Sequence, residues 1–325
     1  MTQSDGKMRP LTADDLAQVI EIDEKNIGRS RKDFFKRRLA AALKDPKQFV
    51  YIACVKDDLL LGYLLARLQK GEFGGDKTIA VVDDIGVGTD VQGQGIGRDL
   101  MAELTRIIRQ KGIHEIRSQA NWSDQNILHF FAASGFQLAP FYIYGRETAY
   151  LDQQVDDDID DPVEIDFSDP SGDDSAALSR DRVPCRSLEQ SDLSAIIKID
   201  SKIMGIERMS YYQHKMDEIM EQSGIRVSLV AELDDHVVGF IMARVDFGEF
   251  GRTEPSAIID TLGVDPAYGH KNVGSALLSQ LLANLAVLRA DQVRTEVRSN
   301  QLSLMGFLQN NGFQPAQSLV LSRKI

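Results

Sequence analysis

Asp83-Asp84-Ile85-Gly86-Val87 and, five residues on, Gln92-Gly93-Gln94-Gly95-Ile96-Gly97-Arg98 are the stretches whose reading decides the fold of this 325-residue chain. The first reads as the end of a buried strand. The second is a glycine-rich turn. Arg98 to Gln110 behind it has helical periodicity, with Leu100, Met101, Leu104, Ile107 and Ile108 on one face. A glycine-rich strand-to-helix turn aims several backbone N–H groups at one point, and the positive end of the helix dipole adds to them. It is a site for an anionic group, most simply a phosphate. The dinucleotide fingerprint needs glycine three residues after Gly95, where Arg98 stands, and the Gly-Lys-Ser/Thr ending of a P-loop is absent.

Working outward, the chain repeats itself at an offset of 177 residues. Arg9-Pro-Leu11 returns as Arg186-Ser-Leu188, and Ile22-Asp23 as Ile199-Asp200. Gly28 and Arg31 return as Gly205 and Arg208, and Ala66-Arg67 as Ala243-Arg244. Gly71-Glu72-Phe73-Gly74 returns as Gly248-Glu249-Phe250-Gly251, Asp83 as Asp260, and Gly135-Phe136 as Gly312-Phe313. One constant offset means duplication without insertion or deletion, and it is far longer than a solenoid period of about 20–50 residues. The expected domains are 1–150 and 184–325.

Between them lies 151–183, with twelve acids against Arg180 and Arg182; it carries −10 of the net charge of −12. That composition is a solvated linker. Neither repeat is strongly basic, which disfavours a nucleic-acid partner. No apolar run is long enough for a bilayer, no leader is visible, and Cys54 and Cys185 make no disulfide framework; a cytoplasmic protein is expected. The histidines and cysteines have no metal-ligand spacing, so no metal is expected.

Each repeat reads alike. In the first, a strand at 8–10 precedes a helix capped by Thr12 or Asp14. A second helix covers 31–44. Strands at 49–56 and 59–68 join at Asp57-Asp58, and the long strand runs 78–87. The glycine turn and its helix follow, then a strand at 113–120, a short helix at 124–133 and a terminal strand.

The spacing Gln92-x-x-Gly95-x-Gly97 after a strand ending at Val87, and the order β-α-α-β-β-β-α-β-α-β, resemble the GCN5-related N-acetyltransferases, the GNAT superfamily. The later Phe130-Phe131-x-x-x-Gly135-Phe136 resembles that family's late motif. The resemblance covers both repeats and implies two α/β domains, each a twisted mixed sheet flanked by helices. It also implies an N-acyltransferase that moves an acetyl or short acyl group from acyl-CoA to an amine, on a small molecule or on a protein lysine or N-terminus. Carried over residue by residue, pantetheine lies against Ile85, Gly86 and Val87. The pyrophosphate lies at Gln92, Gly93, Gln94, Gly95, Ile96 and Gly97, with Arg98 beside it. The second turn, Gly269-His270-Lys271-Asn272-Val273-Gly274, departs from the motif, so the first repeat is the expected catalytic unit and the second a weaker site or a partner in an intramolecular pseudo-dimer.

Two acids are candidate catalysts. Asp83, on the long strand, is either the base or a structural partner of a neighbouring amide or arginine. Glu72 is the base, a holder of the acceptor's ammonium, or part of plain turn chemistry. Arg67 and Arg31 are placed to ion-pair with such acids. The family's usual acid is a tyrosine, and its place holds Phe131, and Leu308 in the second repeat; Tyr142 and Tyr144 fall in the terminal strand. A non-catalytic acyl-CoA-binding regulatory or interaction protein is the alternative.

Overall fold

The computed structural model describes residues 6–70, 77–148, 180, 182–217, 227–246, 249–251 and 256–325. Glu72 and nearly all of the acidic linker lie outside the described residues. The packing divides the chain into two units. One holds 1–143, 247–254 and 316–325, and the other holds 144–246 and 255–315. The packing units therefore differ from the sequence repeats at the end of the first repeat, at a short internal segment and at the C-terminal strand.

In the first unit, β1 (Lys7–Pro10), β2 (Phe49–Lys56), β3 (Leu59–Lys70) and β4 (Thr78–Val87) pair antiparallel in that order. Strand β5 (Glu115–Asn121) joins β4 in parallel, and β12 (Gln314–Lys324) pairs antiparallel with β5 from Ser318↔Asn121 to Lys324↔Glu115. The sheet is thus mixed, as the order of elements predicted. Asp57 and Asp58, both at positive φ, make the two-residue β2–β3 connection, the conformation that such tight hairpins need.

Helices cover both faces. On one lies α3 (Ile96–Gln110), whose Leu100, Leu104 and Ile108 have no exposed surface, with α4 (Gln125–Ala133) beside it. Each such side chain contributes about 2 kcal/mol by leaving water. The other face carries α1 (Leu16–Ile27) and α2 (Lys32–Lys44), packed through Val19, Ile22, Phe34 and Phe35 against Tyr63 and Leu65. Before α1 the Asp15 carboxylate accepts the Thr12 N–H at 2.8 Å and is gripped by Arg9 at 2.7 Å. Gly28, at φ 79°, closes the helix.

The second unit repeats this plan. Strands β7 (Cys185–Ser187), β8 (Leu229–Leu233), β9 (His236–Asp246) and β10 (Ser256–Val264) pair antiparallel in that order, and β11 (Gln292–Arg298) joins β10 in parallel. Its helices are α5 (Leu193–Met204), α6 (Met209–Asp217), α7 (Val273–Val287) and α8 (Leu302–Asn310). The remaining strand, β6 (Gln137–Glu147), gives its first seven residues to the first unit and its last four to the second. Among the described residues no helix is long and apolar enough to cross a membrane.

Candidate active site

Strands β4 and β5 pair only at Ala80↔Ile116 and Val81↔Arg117. One step further on, the Ser118 hydroxyl donates to the Val82 carbonyl at 3.0 Å, and beyond it the strands diverge. Residues Asp84 to Val87 thus border a slot on the β5 side while still paired with β3 on the other, and Asp83 stands at its start. A strand edge of this kind offers backbone N–H and C=O groups to an amide-bearing chain.

Side chains occupy two of those groups. The Asp84 carboxylate accepts from the Ile85 N–H. The Val87 carbonyl accepts from Asn26 Nδ2 at 3.1 Å and from Gln92 Nε2 at 3.2 Å. Gly86 has a packing reason: a Cβ there would stand 2.5–2.7 Å from Cε1, Cζ and Oη of Tyr63. The slot continues into the Gln92–Gly97 turn, where Gly93 and Gly95 have φ of 77° and 88° and no side chain caps α3 at Gly95. The uncapped helix start leaves its first N–H groups and the positive end of its dipole open. Gly97 admits the Phe130 ring, which would lie 3.0 Å from a Cβ. Arg98 sits one turn in, beside Asp99 at 3.4 Å. The turn that sequence singled out is therefore an uncapped strand-to-helix junction with glycines in the left-handed region.

The register of β3 against β4 slips between Leu65↔Asp84 and Ala66↔Val82, which leaves Asp83 as the extra residue of a bulge. Neighbours on a regular strand point to opposite faces. Here both Asp83 and Asp84 reach arginines on the α2 side. Asp83 takes three hydrogen bonds of 2.7–2.9 Å from Arg67, with Arg38 of α2 at 3.6 Å, and its side chain is fully buried. Asp84 pairs with Arg31 at 2.5 Å, and the same guanidinium grips Asp23. Tyr63 donates to Asp23. Burial is the main cause that lifts Asp84 to about 6, opposed by Arg31 and reinforced by the charge of Asp23. Burial likewise raises Asp23. Two buried carboxylates thus share one arginine, and their titrations are coupled.

The sequence pointed to Arg67 and Arg31 as ion-pair partners of Asp83 and Glu72 without saying which takes which; Arg67 is the one on Asp83. The sequence did not single out Asp84, Asn26 or Tyr63, and it assigned Arg31 to other acids. The recurrence of Ile22-Asp23 and Arg31 as Ile199-Asp200 and Arg208 was the available signal. Phe131, where the family's tyrosine would stand, is buried against Phe130 and Phe136. Tyr142 is half exposed and Tyr144 is buried.

The acetyltransferase (GNAT) family model matches residues 16–136 and again 193–313, two copies at the same 177-residue offset. The chain belongs to this family. It is a tandem GNAT chain, and solved structures share its fold. A tandem GNAT protein from the clavulanic acid biosynthesis pathway superimposes with a TM-score of 0.64 at 15% identity, covering 98% of both chains. A GCN5-related N-acetyltransferase from Sphaerobacter thermophilus does so with 0.61 at 14%, covering 99% of this chain and 97% of that one. The glucosamine N-acetyltransferase region of a fungal multi-domain β-N-acetylglucosaminidase gives 0.65 at 14% identity; this chain spans 38% of that longer protein. No curated protein matches the sequence.

The second GNAT copy keeps the backbone and changes the chemistry. His270 and Asn272, at φ of 63° and 60°, reproduce the conformations of Gly93 and Gly95. Asp260 is again the bulged residue, beside Arg244 and Lys215 at 3.4 Å each. Asp84, however, is replaced by Thr261, Asn26 by Ile203 and Gln92 by Gly269. The tip of Ile203 lies 3.3 Å from where a Cβ on Gly263 would stand, over the strand that matches Ile85–Val87. Asp265, at the place of Gly88, is held by Lys202 at 2.5 Å.

Proposed function

We propose that this chain is an acyl-CoA-dependent N-acyltransferase whose first repeat does the chemistry. The observation that carries the reading is the slot between β4 and β5 running into the Gln92–Gly97 turn. In this reading the pyrophosphate sits on the turn, the pantetheine amides take over the Ile85 N–H and Val87 carbonyl, and acetyl or a short acyl group reaches the Asp84 end. Cys54 and Cys185 form no disulfide, which supports a reducing, cytoplasmic setting.

The base was expected at Asp83 or Glu72. Glu72 is outside the described residues. Asp83 takes three hydrogen bonds from Arg67 and its side chain is fully buried, so it offers an acceptor amine no surface. Asp84 suits the role better, because it borders the slot and titrates near neutrality. The acceptor ammonium gives its proton to Asp84, and the freed nitrogen attacks the thioester carbonyl carbon. The C–S bond breaks, leaving CoA thiolate and an amide whose nitrogen sheds its second proton to water. A thiol's ordinary acidity, with a pKa of about 8–9, lets water protonate that thiolate without a tyrosine at position 131.

The test is release of CoA thiol by the full chain with acetyl-CoA and a panel of primary amines, beside titration calorimetry of acetyl-CoA. Turnover supports the transferase. Binding without turnover across the panel favours the second reading, a non-catalytic acyl-CoA-binding protein, for which the apolar Phe131 speaks. Absence of binding defeats both.

A further inference from the structure

The repeated Gly-Glu-Phe-Gly element returns at 248–251, and in space its turn, Glu249–Gly251, belongs to the first unit, although its sequence belongs to the second repeat. The turn packs beside β4 and β5, the two strands that diverge around the slot. On the α1 side, a Cβ at Gly251 would meet Ile27 Cδ1 at 3.8 Å. Ile27 follows Asn26, whose carboxamide holds the Val87 carbonyl. The turn thus touches α1, β4 and β5 together, the elements from which the acyl-CoA path is proposed above. Phe250, half-buried at its centre, has φ 55° and ψ 37°. A bulky residue in the left-handed region is strained, and the surrounding packing must hold it there.

We propose that the second repeat lends Phe250 to the first repeat's site, as the wall against which an alkylammonium acceptor lies. An aromatic face attracts an ammonium ion and covers its carbon chain. The carboxylates at Asp84 and Asp23 would then draw the same ammonium from the other side. This inference rests on the transferase reading above. It gives the second repeat a task that does not require it to bind acyl-CoA.

Two measurements on the full chain test it. Amide hydrogen exchange with saturating acetyl-CoA should slow at the start of α3 and also, several-fold, at 249–251. Protection of α3 without protection of 249–251 overturns the inference and leaves the transferase reading standing. Loss of both signals overturns the transferase reading itself. With an amine that turns over, Phe250→Asn keeps a residue tolerant of the left-handed backbone and should raise the amine KM at least fivefold, with acetyl-CoA affinity unchanged within twofold. Phe250→Trp should retain the parent KM. An unchanged KM in Phe250→Asn, or equal losses in both variants, overturns the inference. If no amine in the panel turns over, the exchange result decides.

Discussion

Phe35 and Tyr63 meet edge to face, ring centroids 5.7 Å apart at 88°, and their counterparts Tyr212 and Phe240 meet at 5.7 Å and 90° with the hydroxyl on the opposite ring. In both repeats that hydroxyl donates to the equivalent buried aspartate. Tyr63 serves Asp23, and Tyr212 serves Asp200 at 2.8 Å. The duplicated site has kept the hydrogen bond and moved its carrier from strand to helix. A buried carboxylate needs its donors more than it needs a particular ring to supply them.

Tyr63→Phe should therefore cost about 1–2 kcal/mol, the usual scale for leaving a buried acceptor one donor short. The double variant Phe35→Tyr/Tyr63→Phe should recover at least half of that loss. Urea unfolding of the wild type, both single variants and the double closes the cycle. Equal destabilisation of Tyr63→Phe and the double variant would show that the second repeat's arrangement does not transfer.

Asp84→Asn should lower turnover by about 10²-fold or more, the scale of lost acid–base catalysis, and Asp83→Asn should act mainly on stability. The wild-type kcat/KM should climb with pH and level off above about 6, where Asp84 is ionised. The Asn variant should lose that limb. If Asp83→Asn removes the limb and Asp84→Asn keeps it, the base is Asp83 after all.

Asp84 also carries a stability signature. Its folded pKa lies above the unfolded value of about 3.9, so the folded state is favoured while the carboxyl is protonated. Stability from this group is present at low pH and is lost as pH rises from about 4 to about 6. At pH 7.5 Asp84→Asn should raise the melting temperature by a few degrees, so the variant that loses activity gains stability. Calorimetric melting of both proteins checks the sign.

Asp15 has the opposite sign. Its hydrogen bonds from Arg9 lower it to about 2, so its contribution is full above the unfolded pKa and disappears as pH falls through about 2. Arg9 is one-third exposed, which discounts the pair to about 1 kcal/mol. Asp15→Asn should be less stable than wild type at pH 7 by that amount. The gap should close between about pH 4 and 2 in acid-titrated unfolding.

Calorimetry on the full chain should find one acetyl-CoA per chain. Gly95→Val should abolish that binding, because a β-branched residue at φ 88° is strained and its side chain fills the turn. Two equivalent sites, or undiminished binding in Gly95→Val, would place the ligand elsewhere.

The sequence by itself determined what short-range chemistry fixes. The alternation and the 3.6-residue period placed the strands and helices of each repeat. Positive-φ needs placed Gly93 and Gly95 in the turn, and the constant offset exposed the duplication. Asp83 and Asp84 could not be told apart this way. Adjacent strand residues ordinarily face opposite sides, and the bulge that turns both toward α2 is a property of the β3–β4 pairing, a contact across the sheet that no local pattern records. Only the tertiary structure gave Arg67 to Asp83 and Arg31 to Asp84 and Asp23. It also seated the C-terminal strand against β5 and brought the Glu249–Gly251 turn to the first unit. The last two outcomes follow from which edges and apolar faces must be covered, a question settled between segments more than a hundred residues apart.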